Sequence, residues 1–203
     1  MGRQTTGTLE RAQEILLLES EAVKNIPLDA SLVKAVDLLL SCKGKVVTSG
    51  MGKAGIIAQK ISSTFSSTGT SSVFLHPGEA QHGDLGMLGK DDVLMVLTNS
   101  GRTREIIELV DLAENMLGSK LPIIAITSHP ESILKEKVDA LLYMGQFSEA
   151  CSLGMAPTTS TTVMLALGDV LCMLVMEAKG FSKEDFARRH HGGYLGEQSR
   201  RNG

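Results

Sequence analysis

The sequence predicts an α/β fold in which a parallel sheet is covered by helices on both faces. Three observations predict it. Short apolar runs at 45–49, 72–76, 92–98, 121–127 and 139–144 alternate with stretches of helical period. The runs at 45–49, 92–98 and 121–127 are apolar nearly throughout instead of alternating with polar residues, as burial on both faces requires. Polar, glycine-rich turns follow the first, second, third and fifth runs. In such sheets these turns lie beyond the carboxyl ends of the strands, where ligands sit.

Each element has its own justification. Residues 1–7 are expected to fray. From Thr8 to Lys24 the apolar residues Leu9, Ala12, Ile15, Leu16 and Val23 keep a helical period, and Pro27 and Asp29 break and restart the chain. A second helix runs over 31–40. After the first strand comes Gly50-Met-Gly-Lys-Ala-Gly55, then a helix over 56–67. The second strand ends at His76 and leads into a polar excursion over 77–88. The third strand stops at Asn99-Ser100-Gly101, and a helix follows over 103–117. A short helix over 131–137 joins the fourth and fifth strands. A loop over 145–158 leads to a long helix over 160–179, and Ser182 caps a last helix to about Arg189. No internal repeat or linker divides the chain. One domain over 1–203 is expected, with amino-terminal helices at 8–42, a sheet core at 45–144 and carboxyl-terminal helices at 159–190.

Composition narrows the function. The chain has 203 residues and a net charge of −3, so nothing favours nucleic acid or an anionic membrane. Trp is absent, which argues against a base-stacking platform. Cys42, Cys151 and Cys172 lie far apart in no C-x-x-C pattern, as suits a reducing cytoplasm. The longest apolar run, Val163 to Met176, contains Gly168 and Asp169 and falls short of the roughly 20 residues of a membrane span. A buried helix is expected there.

The motifs point to an anion. Thr98, Ser100 and Thr103 place hydroxyls beside the free N–H groups of a helix start, a natural anion cradle and equally an ordinary helix cap. Gly50-x-Gly52-x-x-Gly55 has the dinucleotide spacing, but Leu75-His76 stands where the ribose-binding acid belongs, and Ala54 rules out a P-loop. What survives is a glycine turn that holds Lys53 at the strand edge. A cation there opposes the helix dipole and calls for a compensating anion. His76 and His82, with Glu79 and Asp84, fit either metal ligation or polar contacts to substrate hydroxyls. Glu105 sits in a first helical turn, where an acid ordinarily serves the dipole. Glu149 lies in a loop with no local basic partner. The glycines after His190-His191 let the backbone fold closely over something, such as a neighbouring subunit's site.

Together, TSGMGKAG, FLHPGEAQHGDLGML, TNSGRTREI, EACSLGMAPTTSTT and FARRHHGGYLG resemble the sugar-isomerase (SIS) superfamily, and within it the arabinose-5-phosphate isomerases of the 3-deoxy-manno-octulosonate (Kdo) pathway. The resemblance runs from about Leu9 to Gly196. It implies a flavodoxin-like, doubly wound, five-stranded sheet and a homotetramer. It also implies interconversion of ribulose 5-phosphate and arabinose 5-phosphate, supplying Kdo for lipopolysaccharide or capsule. By motif, Lys53, Glu105, Glu149 and His190 take the catalytic positions. Ser49, Gly50, Gly52, Gly69, Thr70, His82, Thr98, Asn99, Ser100 and Thr103 take the substrate-binding ones. His76 matches a position that binds adventitious or inhibitory zinc. No cofactor is required, and CMP-Kdo is a feedback ligand suggested at family level. The paired cystathionine-β-synthase (CBS) modules of many members do not follow here, which suggests a short form or a truncated chain. Arg102 and Arg104 depart from the usual pattern, and His191 replaces the usual proline.

The expected chemistry is proton exchange between adjacent carbons through a cis-enediol. Phosphate would sit on Ser49, Thr98, Asn99, Ser100 and Thr103, and Lys53 would stabilise negative charge. Glu149 or Glu105 would be the base, with loop placement favouring Glu149. His190, from this subunit or a neighbouring one, would assist ring opening or shuttle the oxygen proton. The competing readings are another phosphosugar isomerase, such as a 6-phospho-3-hexuloisomerase, and a non-catalytic sugar-phosphate or CMP-Kdo sensor.

Overall fold

The computed structural model describes residues 2–191, the first few as backbone only. Gly192 and Gly193 of the closing motif lie outside the described residues. Strands β1 (Val46–Gly50), β2 (Ser72–Phe74), β3 (Val93–Leu97), β4 (Ile123–Thr127) and β5 (Ala140–Tyr143) form one sheet in the order β2-β1-β3-β4-β5. Every neighbouring pair is parallel. The order reverses between β1 and β3, where Gly50 pairs with Leu97. A ligand crevice is therefore expected beyond those two residues.

The continuous apolar runs are explained by two cores. Val46, Met95, Leu97, Ile124 and Ile126 face one way, onto α2 (Ala30–Ser41), α3 (Gly52–Ser67) and α6 (Thr159–Ala178). The first helix, α1 (Gly2–Lys24), packs Ala22 and Val23 onto the same side. Val47, Leu94, Val96, Ile123 and Ala125 face the other way, onto α5 (Arg104–Leu117). All ten strand residues are fully buried, and burying one such Leu, Ile or Val side chain is worth about 1.5–3 kcal/mol.

Several boundaries differ from expectation. Helix α1 begins at Gly2, where fraying was expected. Helix α3 begins at Gly52, four residues before the predicted start. A Cβ on Gly55 would stand 2.5 Å from the Gly50 carbonyl oxygen, and one on Gly50 would stand 2.8 Å from the Ala54 backbone. The two glycines let the helix start directly against the strand end, and Gly52 supplies a φ of +58°. That packing accounts for the dinucleotide-like spacing.

Strand β2 stops at Phe74, because His76 leaves it to precede α4 (Pro77–Ala80), with Pro77 in the first turn. The polar excursion is thus partly ordered, and Asp84–Met87 adds a 3-10 turn. The helix expected at 131–137 is a 3-10 turn, Ile133–Glu136. Helix α6 has 20 residues, enough by length and composition to cross a membrane, so shortness is no argument against a span. Here it packs against α1, α2 and α3, and a Cβ on Gly168 would collide with the Ile61 side chain. Ser182 and Asp185 form a capping box at the start of α7 (Lys183–Arg189).

Candidate active site

Beyond the ends of β1 and β3 lies a hollow of about 220 Å³. Its walls come from the start of α3, the turn after β3 and the start of α6. Lys53, Thr98, Asn99, Ser100, Thr103 and Ser160 all line it. Lys53 is exposed in the first turn of α3. Thr98 and Thr103 bring their hydroxyl oxygens within 2.8 Å of each other across the turn. The Ser100 hydroxyl accepts the Arg102 N–H at 3.2 Å, a side-chain turn that curls the backbone into the start of α5. An anion in this hollow would meet hydroxyls, the positive end of a helix and an ammonium.

Glu149, in the loop after β5, stands behind the α6 wall of this hollow and lines the adjoining one. Its Oε2 accepts the Thr158 N–H at 2.8 Å, the Thr158 hydroxyl at 3.1 Å and the Ser160 N–H at 3.2 Å. The carboxylate thus caps α6. Burial pushes its pKa up, but hydrogen bonds from Ser160 and Thr158 outweigh burial and hold it below the ordinary glutamate range. The absence of a basic partner, read from the sequence, is therefore made good by backbone N–H groups. In the same loop, the N–H groups of Ala156 and Met155 point at the Cys151 sulfur, at 3.1 and 3.2 Å, and lower its pKa.

A second, larger hollow of about 810 Å³ adjoins the first, and Asn99 lines both. Its walls include Arg102, Ser128, His129, Tyr143 and Glu149. Sequence reasoning missed the β4 loop, 128–132, altogether. Its Ser-His-Pro segment follows a buried strand as the other turns do, and that signal was available. The four loops that meet are those after β1, β3, β4 and β5. The β2 loop, expected among them, lines neither hollow.

The remaining candidates are placed elsewhere. Ser49 is fully buried and its hydroxyl donates to the Leu75 carbonyl at 2.7 Å, so it braces β1 against the β2 end. Glu105 is half-buried in the first turn of α5 and lines neither hollow. Arg104 is bound at 2.6 Å to Glu108, while Arg102 is exposed on the larger hollow. His82 is exposed in the β2 loop. His76 does not join His82, Glu79 and Asp84 in a metal centre. Among the described residues no three His, Cys, Asp or Glu side chains meet, because α4 and its turn separate them. His76 instead packs edge-on to Phe74, with centroids 6.4 Å apart.

Gly69, Thr70 and His190 lie at the opposite, amino-terminal edge of the sheet. Thr70 leads into β2, and its hydroxyl accepts from Lys179, just past α6, at 2.9 Å. Gly69 has φ +92°, and a Cβ there would stand 2.5 Å from the Phe181 ring. His190 stacks on Phe186 at 3.7 Å, and its Nδ1 lies 3.0 Å from the Phe186 carbonyl oxygen.

Comparison with known proteins fits this geometry. The chain is 46% identical over 195 residues to the arabinose 5-phosphate isomerase of Pseudomonas aeruginosa, covering 95% of the chain and 59% of that relative. It therefore spans little more than half the length of the curated relatives it matches. A Bacteroides fragilis structure, described as a candidate phosphosugar isomerase involved in capsule formation, superposes with a TM-score of 0.89 at 51% identity, over 92% of this chain and 99% of that one. An Escherichia coli CFT073 protein solved in complex with arabinose 5-phosphate gives 0.86 at 38% identity, over 91% and 98%. The model of the SIS domain matches residues 39–174, the stretch that holds the whole sheet and both hollows, and the chain belongs to that family.

Proposed function

We propose that the chain is an aldose–ketose isomerase that interconverts ribulose 5-phosphate and arabinose 5-phosphate. One observation carries the reading. Two adjoining hollows at the switch point of the sheet, with Asn99 on both, bring an anion-binding turn and an ammonium beside the ionised carboxylate that caps α6. The names of the Pseudomonas relative and of the Escherichia coli complex support the phosphopentose. The capsule role ascribed to the Bacteroides protein supports a supply of Kdo toward capsule over the general alternative of capsule or lipopolysaccharide.

The phosphate binds the turn from Thr98 to Thr103 and holds the sugar in register. The three hydrogen bonds from Thr158 and Ser160 all fall on Oε2 of Glu149, so Oε1 is the oxygen that takes the proton from the sugar carbon. A carboxylate with a lowered pKa is a weak base. The substrate's own phosphate and the growing enediolate charge raise its pKa at the moment of transfer. Lys53 stabilises that enediolate charge. Proton exchange of this kind uses no redox cofactor.

His190 stands at the far edge of the sheet, so it acts from a second copy, consistent with a homotetramer in the cytoplasm. Gly69 and Thr70 reach a site in the same way. The unit runs as one domain from α1 to α7, and CMP-Kdo is its feedback ligand.

A coupled assay with ribulose 5-phosphate against a panel of phosphosugars tests the reading. Turnover selective for the ribulose and arabinose 5-phosphates is expected. Binding with no turnover of any member would sink it.

A further inference from the structure

The anion-binding turn is braced from outside as well as by its own hydroxyls. The Asn99 carbonyl accepts the Ser128 N–H at 3.2 Å and the Thr127 hydroxyl at 3.1 Å, and His129 Nδ1 lies 2.9 Å from it. The Ser128 hydroxyl reaches the Asn99 side-chain oxygen at 2.7 Å and the Asn99 carbonyl at 2.9 Å. Gly101, at φ +63°, is seated on the same β4 loop, since a Cβ there would stand 2.4 Å from Ser132 Oγ.

A carbonyl oxygen has no proton, so a bare ring nitrogen 2.9 Å away would set lone pair against lone pair. With its proton on Nδ1, His129 donates to that carbonyl, whereas a bare Nδ1 would only accept from the Ser128 hydroxyl 3.1 Å away; the shorter contact to the carbonyl favours Nδ1–H. The Ser128 hydroxyl has one proton, and the shorter contact directs it to the Asn99 side chain. Donors from Thr127, Ser128 and His129 therefore fall on both oxygens of the residue that opens the turn, and the two side chains of Ser128 and His129 make the shortest of these contacts.

We infer that Ser128 and His129 are positioning residues, which set the affinity of the site for a phosphate group by holding Asn99, and so the N–H groups of Ser100 and Gly101, in place. The inference rests on reading this turn as the phosphate seat. It goes beyond that reading by making the β4 loop the part that tunes it. The relevant atom is His129 Nδ1. An asparagine amide can replace Nδ1–H, whereas a glutamine amide mimics Nε2.

The test is calorimetric titration of the full chain with inorganic phosphate, together with isomerisation kinetics. His129→Ala, His129→Gln and Ser128→Ala are expected to weaken phosphate binding about tenfold, and to raise KM more than they lower kcat. His129→Asn should stay within about twofold of the parent. Nitrogen chemical shifts of the imidazole, which need no variant, should report the Nδ1–H tautomer. The Nε2–H tautomer, retention by Gln with loss by Asn, or equal affinity in all variants would overturn the inference. If the parent binds phosphate without isomerising any sugar, while Gln and Ala lose binding, the positioning role stands and the proposed reaction falls. If the parent binds no phosphate, both fall.

Discussion

The two edges of the sheet carry residues from the same set of motifs, yet they are built differently. At the carboxyl edge, Lys53, Ser100 and the Thr98–Thr103 pair stand around open space. At the amino edge the matching candidates are engaged. Thr70 accepts from Lys179, Gly69 lies under Phe181, Arg189 covers that ring at 5.0 Å, and His190 stacks on Phe186. The first edge leaves hydroxyls and an ammonium around a hollow. The second is a packed junction between α3, α6 and α7, whose residues would, under the function proposed above, serve the site of another copy. A substitution at the first edge should therefore cost activity, and one at the second should cost either stability or activity in trans.

The largest effect is expected at Glu149. Glu149→Gln should lower kcat by about a hundredfold or more, the loss typical of a removed general base. Its pKa is lowered on folding, so its contribution is complete above the unfolded value, about 4.3, and is lost as pH falls through the folded one. Melting temperature and the acid limb of kcat/KM should decline together below about pH 4. A Glu149→Gln variant with near-normal turnover would move the chemistry to Glu105.

Mixing subunits tests the trans assignment next. His190→Ala and Glu149→Gln proteins, each impaired alone, should recover about tenfold or more in activity when unfolded and refolded together. No recovery would place His190 outside the reaction. Gly69→Ala should destabilise the fold by about 1–3 kcal/mol, through backbone strain and the clash with Phe181, as read by denaturant titration. The smallest effect is expected for Arg104→Ala, since Arg104 is spent on Glu108 at an exposed surface. Steady-state kinetics should change by less than about twofold.

The layers of the fold were legible because two-sided burial writes itself into strands such as Val93–Leu97, where no polar residue interrupts the run. The start of α3 was not, because Gly52 and Gly55 look like turn residues until the contact between Gly50 and Gly55 shows why a helix needs them there. Lys53 and the turn after β3 were legible from local chemistry, a cation and hydroxyls at helix starts. The role of Glu149 as a cap on Thr158 and Ser160 depends on how the loop between them folds back, which residue spacing does not encode. The place of the β4 loop could have been read from its buried strand, but its hold on Asn99 could not, for a related reason. Ser128 and His129 act on Asn99 from 29 and 30 residues away, so no local pattern joins them.

The cap on α6 has a consequence for the direction of proton flow. If Glu149 takes a proton from the sugar, it gives up its charge, and the N–H groups of Thr158 and Ser160 lose the stronger half of their bond. The start of α6 is then held least well while the proton sits on the carboxyl group. Handing the proton on restores the carboxylate and with it the full strength of those bonds. The hydrogen bonds at the start of α6 thus favour the charged carboxylate before and after the transfer, and oppose long storage of the proton on Glu149.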